Sequence, residues 1–214
     1  MRLVEKSIST ADIVFDRIEE AILSGEFPKG SIITELKLSS MLKVSRTPIR
    51  EALSRLRGEG LIEDTGKGAL VLGIDENDLL DIYEVRSRIE GLAAAKCAEN
   101  ITDEELKKLR DVLELQEFYT SKNEPERIRN SDSEFHKLIY SYCGSRTLEA
   151  LLSELHRKVQ RYRRASVENQ SRAALAVAEH RRIYEAIKEK NPALAEELTK
   201  EHIKNAGKSI MKIG

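Results

Sequence analysis

The sequence predicts a mainly α-helical protein of two domains: an N-terminal winged helix-turn-helix over residues 1–74 and an all-α antiparallel bundle over residues 75–214. Three observations predict it. Capped segments with apolar residues at helical spacing fill most of the chain. The two β-prone runs, "LIED" and "ALVLGI", stand side by side just before residue 75. Beyond them strand signals stop, and the breaks between helical segments are short.

The elements follow in order. "TADIVFDRIEEAILS" is a helix that Ser9 or Thr10 can cap and that ends before Gly25. "GEFPKGS" is a turn with Pro28 and Gly30, and Thr34 then caps the short helix "ELKLSSMLK". "VS" makes a tight break before the helix of "SRTPIREALSRL", which Ser45 caps and which stops at "GEG". "TGKG" joins the two β-prone runs as a hairpin tip. Helices are expected at 75–98, 102–121, 124–143, 145–167, 171–189 and 192–212, with capping chemistry at Asp75, Thr102, "NEP", "GS" and "NP".

Hydrophobic content of 40% and charged content of 34% describe a globular chain with a core and exclude a disordered one. Met1 to Ser9 is short and polar, and no apolar run reaches membrane-spanning length, so a cytoplasmic protein without membrane association is expected. Cys97 and Cys143 are too few for a disulfide framework and fall on apolar helical faces, which predicts buried, inert thiols.

Net charge is −1, yet Lys43 to Arg57 holds five basic residues (Lys43, Arg46, Arg50, Arg55, Arg57) against one acid, Glu51. A phosphate responds to this local cluster, because screening limits its reach to about 10 Å. On the helix from Arg46, the residues Ile49, Ala52, Leu53 and Leu56 form the buried stripe, and Arg46, Arg50 and Arg57 fall within about 40° of one another beside it. A short helix, a tight turn, this helix and a two-strand hairpin make a winged helix-turn-helix, whose second helix enters the major groove N-terminus first. Arg46 and Arg50 lie in its first two turns, where arginine can take guanine O6 and N7 together. Ser45 and Thr47 are placed to hold phosphate, and Lys67 at the wing tip reaches backbone or minor groove.

The stretch "LSSMLKVSRTPIREALSRLRGEGLIEDTGKGALV" resembles the winged helix-turn-helix of the GntR family of bacterial transcriptional regulators. By position, the resemblance implies DNA contacts from Ser45, Arg46, Thr47 and Arg50 and from Gly66 and Lys67 in the wing. Leu36 stands where some relatives carry a DNA-contacting arginine.

The second domain carries three of the four histidines on inward helical faces. Asp132 and His136 sit one turn apart beside Phe135 and Ile139; His180 lies among Ala176, Ile183 and Ile187; His202 lies among Ala195, Leu198 and Ala206. Three imidazoles and a carboxylate match a divalent transition metal with one or two open positions: zinc foremost, with nickel or manganese as alternatives. The other reading is three unrelated core histidines. His156 falls at the edge of its stripe and is left out of the set. Arg86 points inward among Leu79, Ile82, Tyr83 and Ile89, one turn before Glu90, which predicts an ion pair; its fork can also grip an incoming carboxylate. In "RKVQRYRR", Arg163 leans inward and is a candidate second carboxylate contact.

The pieces "YEVRSRIEGLAA", "DSEFHKLI", "EHRRIYEAI" and "EELTKEHIKNA" resemble the FCD ligand-binding domain of the FadR-type branch of that family. The resemblance implies a metal held by Asp132, His136, His180 and His202, and a carboxylate-bearing metabolite on the metal's open sites close to Arg86. The family's Gly-Asn before a bundle helix is Gly144-Ser145 here. The expected function is a metabolite-responsive regulator, a repressor, binding a pseudo-palindromic DNA operator as a homodimer and not acting as an enzyme. A metal-sensing regulator and a mononuclear metalloenzyme are the alternatives.

Overall fold

The structure is a computed structural model that describes residues 9–73, 76–165 and 170–211, with side chains throughout except at 76, 160–165, 170, 171, 210 and 211. The expected cap at Asp75 and the inward lean of Arg163 lie outside the described residues. The chain divides into two compact units, Met1–Asp75 and Glu76–Gly214.

In the first unit, helix α1 (Thr10–Leu23) starts in a capping box: the Ser9 hydroxyl accepts from the Asp12 N–H, and the Asp12 carboxylate accepts from the Ser9 N–H. Strand β1 (Ile32–Ile33) leads into helix α2 (Glu35–Leu42), whose cap Thr34 accepts from the Lys37 N–H. Lys43 takes the left-handed conformation that turns the chain into helix α3 (Arg46–Gly58), and the Ser39 hydroxyl donates to the Val44 carbonyl across that turn. Strands β2 (Ile62–Thr65) and β3 (Gly68–Val71) form the wing. Strand β3 lies between β1 and β2, antiparallel to both.

The structure departs from the sequence reading at two places. Ile32 and Ile33, between the turn "GEFPKGS" and the Thr34 cap, belong to no element in the sequence reading, because two residues are too few to show alternation; they form strand β1 because β3 supplies their hydrogen-bonding partners. Ser45 occupies the N-cap of α3, but its hydroxyl makes no capping bond. Gly68 explains how β1 comes so near: its φ is +140°, and a Cβ there would stand 2.7 Å from the Ile33 carbonyl oxygen. Ile49, Ala52, Leu53 and Leu56 are all buried, as their spacing predicted, in one core with Phe15, Ile18, Leu38 and Val71.

The second unit is all helix among the described residues: α4 (Glu76–Asn100), α5 (Asp103–Lys122), α6 (Pro125–Tyr142), α7 (Arg146–Ala165), α8 (Gln170–Lys188) and α9 (Pro192–Met211). Thr102 and Glu105 form a capping box on α5, Pro125 opens α6, and the Ser145 hydroxyl accepts from the Leu148 N–H at the start of α7. Helices α4 and α9 approach closely where Gly207 faces Tyr83: a Cβ on Gly207 would lie 3.0 Å from that ring. The core runs through Ala93, Cys97, Leu109, Leu113, Phe135, Ile139, Leu152, Ile183, Ile187 and Ala195. Cys97 and Cys143 are free and buried, and burial together with Cys143 pushes the Cys97 thiol up to about 12, so it is an inert core residue. No described helix is long and apolar enough to cross a membrane.

Candidate DNA interface and candidate metal centre

Helix α3 presents Ser45, Arg46, Thr47 and Arg50 to solvent, and the β2–β3 turn presents Gly66 and Lys67. The structure separates the arginines that the sequence grouped. Arg57 donates to Asp64 on β2 at 2.6 Å, and Arg55 donates to Asp12 at 2.7 Å with its guanidinium 4.0 Å above the Phe15 ring. Both are turned back onto their own unit. Arg46 makes no ion pair among the described residues. Arg50 donates through Nε to Glu35 at the start of α2, with both carboxylate oxygens at 2.9 Å. Leu36, next to Glu35, is 65% exposed and supplies no donor.

In the second unit α6, α8 and α9 bring His136, His180 and His202 together, each buried, with one nitrogen apiece within 4.8 Å of the others. The nitrogens that meet are all Nε2: His180 to His202 at 3.2 Å and His202 to His136 at 3.3 Å. Every Nδ1 has an oxygen on its far side, within hydrogen-bonding geometry for His180 and His202 and at ion-pair distance for His136. That of His180 lies 2.8 Å from Gln116 Oε1 on α5, that of His202 lies 2.6 Å from Glu179 Oε2 on α8, and that of His136 lies 3.1 Å from Glu90 Oε2 on α4. A carboxylate or amide oxygen on Nδ1 fixes the proton there and leaves the Nε2 lone pair facing inward. Three lone pairs then converge on one point in a buried site. That arrangement is repulsive by itself and is satisfied by a cation. Neighbouring nitrogens 2.0–2.1 Å from a common cation are about 3.0–3.4 Å apart, depending on geometry, and the two spacings from His202 fall in that range.

Asp132 stands beside the cluster, its Oδ1 3.9 Å from His180 Nε2 and 3.5 Å from the Gln116 amide nitrogen. Burial lowers the basicity of His180 well below the usual histidine value, with further lowering from His202 and His136, so His180 is neutral as a metal ligand must be. Burial lowers His202 too, against the opposing pull of Glu179.

The ring of outer partners is mostly what sequence reasoning missed. Burial works against ionising Glu90, but Arg86 and then His136 hold its carboxyl well below the usual range. Arg86 Nε donates to Glu90 Oε1 at 2.6 Å, with both side chains buried, as the one-turn spacing predicted. The further contact from Glu90 to His136 was not legible, because it joins α4 to α6. Burial likewise opposes ionisation of Glu179, and hydrogen bonds from His202, Arg172 and Asn205 bring it to about 2. Gln116 did carry a signal: it lies on the buried stripe of Leu109 and Leu113, the same polar-among-apolar pattern that singled out the histidines. His156 is buried rather than at an edge, and its ring nitrogens lie 2.9 Å from Ser133 Oγ and 3.5 Å from Tyr140 Oη. Burial first, then His136, lowers it to about 3.

A winged helix-turn-helix followed by an all-α unit with a polar buried centre defines a class: transcriptional regulators that pair a DNA-binding unit with a ligand-binding one. Comparison with known proteins makes the assignment particular. Residues 10–71 match the bacterial regulatory proteins of the gntR family, and residues 81–205 match the FCD domain. The chain therefore belongs to the GntR family of transcriptional regulators, in its FadR-type branch with an FCD domain, and is not an enzyme. The HTH-type transcriptional regulator YdhC of Bacillus subtilis is 31% identical over 192 residues, covering 88% of this chain and 84% of that protein. The gluconate operon transcriptional repressor of Bacillus licheniformis is 32% identical over 131 residues, 61% of this chain and 54% of that protein. Among solved structures, E. coli McbR/YncC superposes with a TM-score of 0.75 over 96% of this chain and 98% of that one at 21% identity, which shows the shared fold.

Proposed function

We propose that this regulator is a metabolite-responsive repressor whose second unit holds a divalent metal, zinc foremost, through His136, His180, His202 and Asp132. The convergence of three Nε2 atoms, each with an oxygen behind its Nδ1, carries the reading. Zinc suits a nitrogen and oxygen set in a tetrahedral or slightly expanded sphere; nickel and manganese are the competing ions. The metal would supply Lewis acidity for binding and no turnover. A small carboxylate takes its open positions and accepts from the Arg86 guanidinium, so that two positive partners offset the cost of removing an anion from water.

Residues 1–74 form the DNA-reading domain and 75–214 the metal and effector domain. Ser45, Arg46, Thr47 and Arg50 enter the major groove, with Gly66 and Lys67 of the wing on the flanking backbone or minor groove. A homodimer places two such units on a pseudo-palindromic operator inside the cytoplasm, and the carboxylate shifts the affinity for that operator. The repressor assignment leans on the name of the gluconate operon relative.

Metal analysis of the purified protein, followed by calorimetric titration of short mono- and dicarboxylates into metal-loaded and metal-free samples, tests the reading. Carboxylates should bind only the loaded protein and should change its affinity for operator DNA. Equal binding with and without metal would overturn the metal's part in effector recognition. DNA affinity that follows metal alone would make the metal itself the effector.

A further inference from the structure

We infer that Glu35 is a specificity-determining residue for DNA recognition, holding Arg50 by Nε so that its two terminal nitrogens project as an oriented fork. This rests on the reading above that Arg50 contacts bases.

Both Glu35 oxygens share the single Arg50 Nε at 2.9 Å. Most paired guanidinium–carboxylate contacts use a terminal nitrogen as well. Here the terminal nitrogens have no partner among the described residues, and they are the donors that a guanine O6 and N7 pair takes up. Arg55 and Arg57, by contrast, donate through terminal nitrogens to Asp12 and Asp64. The anchor is itself fixed: Glu35 is the first residue of α2, behind the Thr34 cap, where the helix dipole favours a carboxylate. Arg50 is 64% and Glu35 37% exposed, so the pair adds little to folding. Its consequence is orientation. An arginine presented in one direction loses less freedom when it docks on a base edge.

The same carboxylate faces the DNA-binding side and repels phosphate whatever the sequence. Removing it therefore has two effects of opposite sign. Binding to the preferred site loses the oriented fork, and binding to any other duplex loses a repulsion. A residue that merely stabilised the fold would weaken both.

The test uses the full-length protein. The wild type selects a preferred duplex from a random-sequence pool, and a scrambled duplex serves as the non-specific reference. Glu35→Ala should lower the ratio of specific to non-specific affinity by about tenfold, with non-specific binding strengthened. Glu35→Gln, which keeps an acceptor without the charge, should fall between. In a selection repeated with Glu35→Ala, base preference should relax at the positions that Arg50→Ala also relaxes. Glu35→Ala binding both duplexes more tightly by the same factor would make Glu35 a repelling charge only and overturn the inference, as would no change in either. If Arg50→Ala keeps the wild-type preference, base reading by Arg50 fails and the inference with it. If Arg50→Ala loses the preference and Glu35→Ala keeps it, the role of Glu35 alone is refuted.

Discussion

Replacing Gln116 with Leu probes the metal centre without touching a proposed ligand. The side chain is fully buried, and Leu fills nearly the same volume, so no sizeable cavity opens. What is lost is the oxygen that accepts from His180 Nδ1 at 2.8 Å and the long contact from its amide to Asp132 at 3.5 Å. A buried imidazole N–H stripped of its acceptor costs about 1–3 kcal/mol. The ring then gains by turning or by moving its proton to Nε2, and either change removes a lone pair from the metal position. Loss of an outer partner of this kind weakens metal affinity by about 10–100-fold. At about 1.4 kcal/mol per factor of ten, that is about 1.4–2.8 kcal/mol, in agreement with the stranded donor. Competition between the protein and a zinc chelator, read at equilibrium, measures it, with circular dichroism confirming the helical fold. A Gln116→Leu variant that binds zinc within twofold of wild type would show that the amide does not set the His180 tautomer.

Other outcomes follow from the same geometry. His136→Ala, His180→Ala and His202→Ala should each lose metal on elemental analysis, while His156→Ala, whose nitrogens face Ser133 and Tyr140, should keep it. Because the three imidazoles come from α6, α8 and α9, chelation should lower the thermal midpoint; free zinc at a hundred times its dissociation constant contributes about 2.7 kcal/mol, and calorimetry reads the shift. Arg86→Lys keeps a charge beside Glu90 but loses the fork, so carboxylate affinity should fall in a titration while metal content stays. Arg46→Ala should cost about 1–3 kcal/mol at the preferred DNA site, whereas Lys67→Ala should weaken all duplexes alike and flatten the salt dependence. Asp12 is held below its ordinary value by hydrogen bonds from Ser9 and Arg55, so its contribution is present above about pH 4 and lost as pH falls further; Asp12→Asn should differ from wild type at pH 7 and converge with it in acid melts.

Much of the fold was legible in the sequence because its signals are local. A capping residue, a left-handed glycine or a proline in a first turn acts within one helical turn, and the apolar stripe of α3 needs only its own period. For the same reason His136, His180 and His202 each declared themselves as polar groups on buried faces. What a periodicity cannot state is which face meets which. Tertiary packing alone decided that the three Nε2 atoms converge, that Gln116 of α5 and Glu90 of α4 take the opposite nitrogens, and that Arg172 and Asn205 steady Glu179. It also decided the fate of the basic face. Helical angles put Arg46, Arg50 and Arg57 together, but the carboxylates that draw Arg57 to the wing and tether Arg50 by Nε come from other elements. Strand β1 is the limiting case: Ile32 and Ile33 have too few residues to show alternation, and they become a strand only when Leu70 and Ala69 are folded against them. Local chemistry sets where an element begins and which side is buried; pairing between elements depends on contacts distant in sequence, and those exist only in the folded chain.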